Sequence, residues 1–166
     1  MNKLTVCAVV ISGAFATQAL AAPTAVQVQA INPSVCEISA NQLVLDLKNP
    51  SVQNTATTNF TMKCNDRNGA TVKMVSAEGG LEADDAFPDD FALAYEATFT
   101  PDGLDPLTFT PPGGTGPNNF ESEAKSYAGT TDLAGGISAT LEVTNTQTAP
   151  WSGGYSDTIT ISITSN

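Results

Sequence analysis

Apolar and polar residues alternate along nearly every readable segment of this sequence, and no segment sustains the 3.6-residue period of a helix. Alternation places every second side chain on the same face of an extended chain, which is typical of a strand with one buried face. Thr, Val, Ile and aromatic residues dominate these segments, and Gly, Pro, Asn and Asp separate them. The pattern predicts an all-β fold, which we interpret as a β-sandwich.

Each predicted strand carries one set of inward-facing residues. Cys36 and Ile38 lead into "NQLVLDL", where Leu43, Leu45 and Leu47 share a face. The other sets are Phe60, Met62 and Cys64; Val72 and Met74; Phe91, Leu93, Tyr95, Ala97 and Phe99; Ile137, Leu141 and Val143; and Tyr155, Ile159, Ile161 and Ile163. Between Pro101 and Gly136 the alternation fades. There we expect one short strand in "LTFT", a helical turn at most in "FESEAKSYA" and otherwise turn-rich loop, with no internal repeat and no second domain.

The N-terminus has the three parts of a bacterial-style secretory signal peptide. "MNK" is a positive n-region, "LTVCAVVISGAFA" an apolar core and "ALAA" a small-residue cleavage site. We predict that residues 1–22 are removed, with Cys7 inside them. No other apolar run approaches the roughly 20 residues that a membrane helix needs. The mature chain of about 144 residues suits a single domain.

The chain is strongly acidic. Its formal net charge is −11, and the loss of Lys3 with the signal peptide makes the remainder one unit more negative. No basic stripe is available to neutralise phosphates, so we predict no nucleic-acid partner. Solubility and self-repulsion are the ordinary consequences of such a surface.

Two cysteines, Cys36 and Cys64, remain after the signal peptide is removed. Exported proteins meet oxidising conditions that favour pairing. The alternatives are two free thiols or half of a metal site, but the chain contains no CxxC motif and no histidine. We predict a disulfide between Cys36 and Cys64, with no metal and no cofactor.

Once the signal peptide is removed, the remaining chain both begins and ends with a strand pattern that lacks an evident partner. The final segment, "GGYSDTITISITSN", has no following hairpin strand, and an exposed edge beside apolar side chains is an aggregation template. At the other end, "PTAVQVQAI" alternates and carries no charge from Ala22 to Val35. This arm either folds back on its own molecule or inserts into the next molecule by strand addition. A head-to-tail contact of the second kind grows an open fibre.

The order of these motifs resembles the pilin subunits of chaperone-usher fimbriae, most closely the archaic branch and the related spore-coat-U-type domains. The motifs are "AVQVQAINPSVCEISANQLVLDL", then "TTNFTMKC" ending in the second cysteine, then a final "GGYSDTITISI". The last strand of that branch commonly reads Gly, Tyr, one residue, Asp, and then alternating Thr with Val or Ile. The chain departs from many such subunits in having "LVLDL" where they carry a Phe-Gly pair after the first cysteine. Residues 76–136 match nothing in the family pattern.

The resemblance implies an incomplete immunoglobulin-like β-sandwich that is completed by a donor strand from another subunit. It implies three regions: a signal peptide at 1–22, a donor-strand extension at 23–33 and a pilin domain at 34–166. The implied donor residues are Thr24, Val26, Val28 and Ala30, and the implied acceptor groove contains Tyr155, Ile159, Ile161 and Ile163. The implied partners are neighbouring copies of the subunit in a homopolymer, a periplasmic chaperone and an outer-membrane usher. The implied location is the extracellular surface, reached through the periplasm, where the fimbria supports adhesion or biofilm formation.

Other kinds of site have weaker support in the sequence. The acidic run "EGGLEADDAFPDD" contains oxygen ligands that calcium prefers, but its spacing matches no EF-hand and a solvated loop is the simpler interpretation. No catalytic motif is present, so we expect no enzymatic activity. The alternative function is a secreted, self-contained carbohydrate-binding module in which Trp151 stacks on a sugar; Trp151 is otherwise a packing residue.

Overall fold

The computed structural model describes residues 26–84, 91–115 and 118–166. The predicted signal peptide and Thr24 lie outside these residues. Two compact units are distinguished, residues 1–32 and 33–166, and the strands described below all belong to the second. Among the described residues, none of the helices combines the length and the apolar character needed to cross a membrane.

The second unit is built from antiparallel strands, in agreement with the predicted all-β class and consistent with a sandwich. In chain order the elements are β1 (Cys36–Ala40), β2 (Thr55–Cys64), β3 (Ala70–Ser76), β4 (Leu81–Ala83), β5 (Phe91–Leu93), β6 (Tyr95–Pro101), β7 (Leu107–Phe109), β8 (Gly114–Thr115), β9 (Phe120–Glu121), β10 (Lys125–Tyr127), α1 (Thr131–Gly135), β11 (Ile137–Asn145), β12 (Tyr155–Ser156) and β13 (Ile159–Ser165).

The strands form three sheets among the described residues. The largest has the order β1-β2-β11-β6-β7. A second has the order β10-β3-β13, with β9 also paired to β3, and a third has the order β12-β4-β5-β8. Strands distant in sequence are neighbours in space, as when β11 pairs with β2 and β13 pairs with β3. The fold therefore depends on long-range pairing rather than on local hairpins.

One core joins the inward face of the five-stranded sheet to that of the sheet that contains β3 and β13. The fully buried side chains include Met62 of β2, Met74 of β3 and Phe99 of β6. Phe60 packs edge-on against Phe99, with ring centroids 5.9 Å apart. The inward sets predicted for β2, β3 and β11 from alternation are confirmed, because the burial pattern of each strand alternates with the predicted parity.

The turn from β2 to β3 requires a glycine. Gly69 has a φ of 96°, a conformation that side chains with a Cβ rarely adopt. The carbonyl oxygen of Tyr127 also occupies the place where a Cβ atom would lie. The sheets can therefore approach closely at this turn.

Three predictions about local structure were wrong. The segment "FALAYEATFT" is not one strand, because the Ala94 carbonyl accepts bonds from the Thr146 and Gln147 amides and separates β5 from β6. The segment "FESEAKSYA" contains β9 and β10 rather than a helical turn, since both strands find partners on β3. Within the supposed loop, α1 forms, with the Thr130 hydroxyl capping the Leu133 amide at 3.1 Å. The predicted short strand "LTFT" is confirmed as β7.

Candidate functional site

Two unpaired sheet edges lie next to each other in this molecule. β13 pairs with β3 on one side, and β1 pairs with β2 on one side; within the described residues neither has a strand on its other side. The two strands belong to different sheets but come close together in space. The sandwich is therefore open along the line between β1 and β13.

An elongated groove of about 840 Å³ runs between these edges. One wall is formed by β1 and the segment that follows it, and the other by residues 153–161, which include β12 and the first half of β13. The apolar side chains that line it are Ile38, Ala40, Leu43, Val44, Leu45, Leu47, Phe60, Leu81, Leu141, Tyr155, Ile159 and Ile161. Polar and charged residues line the rest of the groove, among them Asp46, Lys48, Asp84 and Asp157.

The aliphatic side chains on the two groove walls are only partly buried. Ile159 and Ile161 of β13 are only half-buried, as are Ile38 and Ala40 of β1. On the neighbouring inner strand β3, by contrast, the residues that share the inward face are fully buried. An occupant that covered these side chains completely would add only a fraction of the roughly 1.5–3 kcal/mol that full burial of an exposed aliphatic side chain contributes.

Of the predicted acceptor residues, Tyr155, Ile159 and Ile161 line the groove. Ile163 lies on the same face of β13 and packs against the core, but it is not part of the groove wall. Of the predicted donor residues that are described, Val26 is 81% exposed and Val28 is 89% exposed. Ala30 is exposed too, and residues 26–35 adopt no regular strand.

The segment Asn41 to Lys48 differs from its prediction. "NQLVLDL" is not a strand: the β1–β2 ladder ends at the Ala40–Phe60 pair, and only the Asn41 amide continues it, with a 3.1 Å bond to the Asn59 carbonyl. The Asp46 carboxylate instead accepts a 2.8 Å bond from the Lys48 amide, and Lys48 has a φ of 65°. Leu43 is consequently 93% exposed, so its predicted inward orientation was wrong, whereas Leu45 and Leu47 do pack against the core.

The half-buried carboxylate of Asp157 fixes the start of β13. Oδ2 of Asp157 accepts hydrogen bonds from the Ser76 hydroxyl and, at 2.7 Å, from the Tyr95 hydroxyl. Its Oδ1 accepts from the amides of Thr158 at 2.7 Å and Glu78 at 3.1 Å. Burial raises the pKa of Tyr95 above the usual tyrosine range, and the negative charge of Asp157 raises it further. This network ties one groove wall to the ends of β3 and β6.

The pattern analysis missed the role of Asp157. The aspartate was part of the motif that carries the resemblance, but nothing in the local sequence indicates its partners, which lie up to 81 positions away. The parity of the strand was the available signal, because Asp157 shares the inward face with Tyr155 and Ile159. A carboxylate on that face must find hydrogen-bond donors.

The disulfide between Cys36 and Cys64 is present, as predicted. The two cysteines are register partners at the end of the β1–β2 ladder, with Cα atoms 4.0 Å apart. The bond secures the groove wall formed by β1, which is otherwise held by one neighbouring strand alone within the described part of the chain.

The other candidate sites are the acidic run and Trp151. Part of the acidic run, residues 85–90, lies outside the described residues, and the carboxylate of Asp84 accepts a 2.9 Å bond from Ser156. Among the residues that the structure describes, no three His, Cys, Asp or Glu side chains form a group that could hold a metal. Trp151 is 53% exposed, and its carbonyl accepts a 3.2 Å bond from the Tyr155 hydroxyl.

No protein-family model, curated protein or solved structure matches this chain.

Proposed function

We propose that this protein is a structural subunit of a surface fimbria, in which the groove between β1 and β13 accepts the N-terminal arm of a second copy. The observation that carries the proposal is the apolar groove between two unpaired sheet edges, with half-buried isoleucines on both sides. An added strand would bury these side chains and satisfy backbone groups on the open edge of β13.

The charges around the groove favour the arm as the occupant. Asp46, Asp84 and Asp157 line the groove together with one cation, Lys48, which pairs with Asp46 at 2.9 Å. The remaining charge is negative, so an acidic segment would be repelled. The rest of the chain is strongly acidic, but no charged residue occurs from Ala22 to Val35. The arm thus combines an alternating apolar pattern with the neutrality that the groove requires.

The length of the arm also fits. The alternating stretch from Thr24 to Ile31 is one residue longer than β13, which spans Ile159–Ser165. A strand of this length contributes a ladder of backbone hydrogen bonds worth about 1 kcal/mol net each. Val26, Val28 and Ala30 would face the isoleucines of the groove, and each buried aliphatic side chain would contribute roughly 1.5–3 kcal/mol.

Insertion into a second copy is favoured over folding back. The segment from Pro33 to Val35 is fixed beside Asn65 by hydrogen bonds. An arm that entered its own groove would have to reverse direction beyond this fixed segment, where Asn32 precedes a proline and is restricted to extended conformations. Insertion into a second copy needs no such reversal, and the resulting head-to-tail contact propagates as a homopolymer.

Export adds two further partners to the proposal. A half-covered core would aggregate before assembly, so a periplasmic chaperone would lend a temporary strand, and an outer-membrane usher would exchange it for the arm. We propose no catalytic role and no cofactor for the groove.

The test is expression of the full chain for export without any chaperone, followed by size-exclusion chromatography and electron microscopy. We expect aggregates, arm-swapped oligomers or fibres. A stable monomer with its groove filled by its own arm would refute the proposal. A stable monomer that binds sugars would support the alternative carbohydrate-binding function, with Trp151 as the residue to substitute first.

A further inference from the structure

Asn65 holds the backbone at the base of the arm through three hydrogen bonds. Its side-chain Oδ1 accepts a 2.6 Å bond from the Val35 amide, and its Nδ2 donates a 3.0 Å bond to the Pro33 carbonyl. Its backbone amide donates a 3.1 Å bond to the Val35 carbonyl. The bonds of the side chain thus continue the hydrogen bonding between β1 and β2 past the last residue pair, Cys36 and Cys64.

The surrounding chain makes this attachment stiff. The residue before Asn65 is Cys64, which is covalently bonded to Cys36, so both sides of the contact are fixed. Pro33 has a restricted φ, and Asn32 is restricted because it precedes a proline. The chain therefore has little conformational freedom from Asn32 to Cys36.

We infer that Asn65 stiffens the joint between successive subunits of the fibre. This inference rests on the proposed function. If Thr24 to Ile31 is the donated strand, Asn32 alone separates it from Pro33, and one extended residue spans about 3.3–3.6 Å. The strand that is anchored in one subunit and the domain that follows it are then joined by almost no free chain, which makes the fibre stiff.

The experiment compares fibres of the exported full chain with those of two variants. Asn65→Ala removes both side-chain bonds but keeps the backbone bond and the disulfide. The matched control is Asn59→Ala, since Asn59 is exposed in β2 and makes no side-chain hydrogen bond to the described residues. Electron microscopy measures the persistence length, and hydrogen exchange measures the opening of the Val35 amide.

For Asn65→Ala we expect assembly in normal yield with a persistence length reduced roughly twofold or more, because the joint loses two of its three hydrogen bonds. Exchange at Val35 should be roughly 10- to 30-fold faster, the factor that two ordinary hydrogen bonds contribute. Asn59→Ala should match the unmodified protein in both measurements. Fibres of Asn65→Ala with unchanged persistence length, despite faster exchange at Val35, would overturn the inference.

A second variant covers the case in which Asn65→Ala does not fold. Asn65→Asp keeps an acceptor for the Val35 amide and loses the donor to the Pro33 carbonyl, so we expect an intermediate persistence length. Equal stiffness of Asn65→Asp and unmodified fibres would also count against the inference. If the unmodified chain forms no fibres at all, the proposed function fails, and this result is distinct from fibres of unchanged stiffness.

Discussion

The Tyr95 hydroxyl donates a 2.7 Å hydrogen bond to Oδ2 of Asp157, which connects β6 of the largest sheet to the residue two positions before β13. Ser76 at the end of β3 donates to the same oxygen. One carboxylate thus joins elements of two sheets at the end of the groove. Since the charge of Asp157 is surrounded by donors, its partners cannot be removed without leaving a poorly solvated carboxylate.

Tyr95→Phe should lower the free energy of unfolding by about 1.5–3 kcal/mol, because the lost bond has a charged acceptor. The matched control is Tyr127→Phe, which loses a 3.1 Å bond to the neutral carbonyl of Asp105. That change should cost about 0.5–1.5 kcal/mol. Urea denaturation at neutral pH measures both values, and equal costs would contradict the special role of the Asp157 network.

Stability should fall at alkaline pH because two buried tyrosines resist ionisation. Burial raises the pKa of Tyr127 to about 12 and that of Tyr95 above the usual range, from an ordinary value of 10.0. Above pH 10.0 the unfolded chain loses these protons while the folded chain keeps them, so the free energy of unfolding decreases as pH rises. Below that pH both tyrosines are protonated in the folded and the unfolded chain, so they do not make the free energy of unfolding depend on pH.

Urea titrations across the range from pH 8 to 11.5 would measure this slope. Tyr127→Phe should retain the part of the alkaline slope that Tyr95 causes. The double variant with Phe at both positions should lose the parts that both tyrosines cause. A double variant with the same alkaline slope as the unmodified protein would show that other groups cause the loss.

Reduction of the disulfide should destabilise the domain and loosen the β1 wall. The cysteines are 28 positions apart, and a loop of this size contributes on the order of 3–4 kcal/mol in the chain-entropy model. Mass measurement should show a two-proton gain only after reduction, and urea denaturation should show the loss of stability. Free thiols in the native material would contradict the pairing.

Deletion of Ala22 to Ile31 should leave a domain that accepts a strand but cannot donate one. Because the groove residues all belong to residues 33–166, the acceptor should be unaffected. Mixed with the full-length subunit, the truncated protein should cap fibres at one end and shorten them in proportion to its share. Normal extension of fibres by the truncated protein would show that the arm is not the connector.

Alternation in the sequence correctly located the strands whose partners continue along their whole length. β2 and β11 are paired over eight successive residues, so their buried parity is fixed by both neighbours. The same logic failed for "NQLVLDL", where the apolar alternation continues beyond the end of the β1–β2 ladder and Leu43 is 93% exposed. If a donated strand covers this segment in a fibre, the pattern reflects the assembled state rather than the isolated chain.

The local sequence pattern could not predict the hydrogen-bond partners of the polar residues around the site. Asn65 contacts residues 30 and 32 positions earlier, and Asp157 contacts Tyr95 and Ser76 from far along the chain. Parity places Asp157 on the inward face of its strand, but nothing in the immediate sequence of either residue indicates its partners. Their roles appear only when long-range strand pairing brings these donors and acceptors together.

The last prediction tests the parity of the arm. Val28→Asp would place a carboxylate against Ile159 and Ile161 in the groove, and an unpaired buried charge costs several kcal/mol even after relaxation. We therefore expect Val28→Asp to block assembly while leaving the chaperone-bound monomer intact. Gln27→Asp adds the same charge on the opposite face of the arm, where solvent accommodates it, and should assemble nearly normally. Fibre yield by sedimentation and electron microscopy compares the two variants, and equal behaviour would refute the assigned parity.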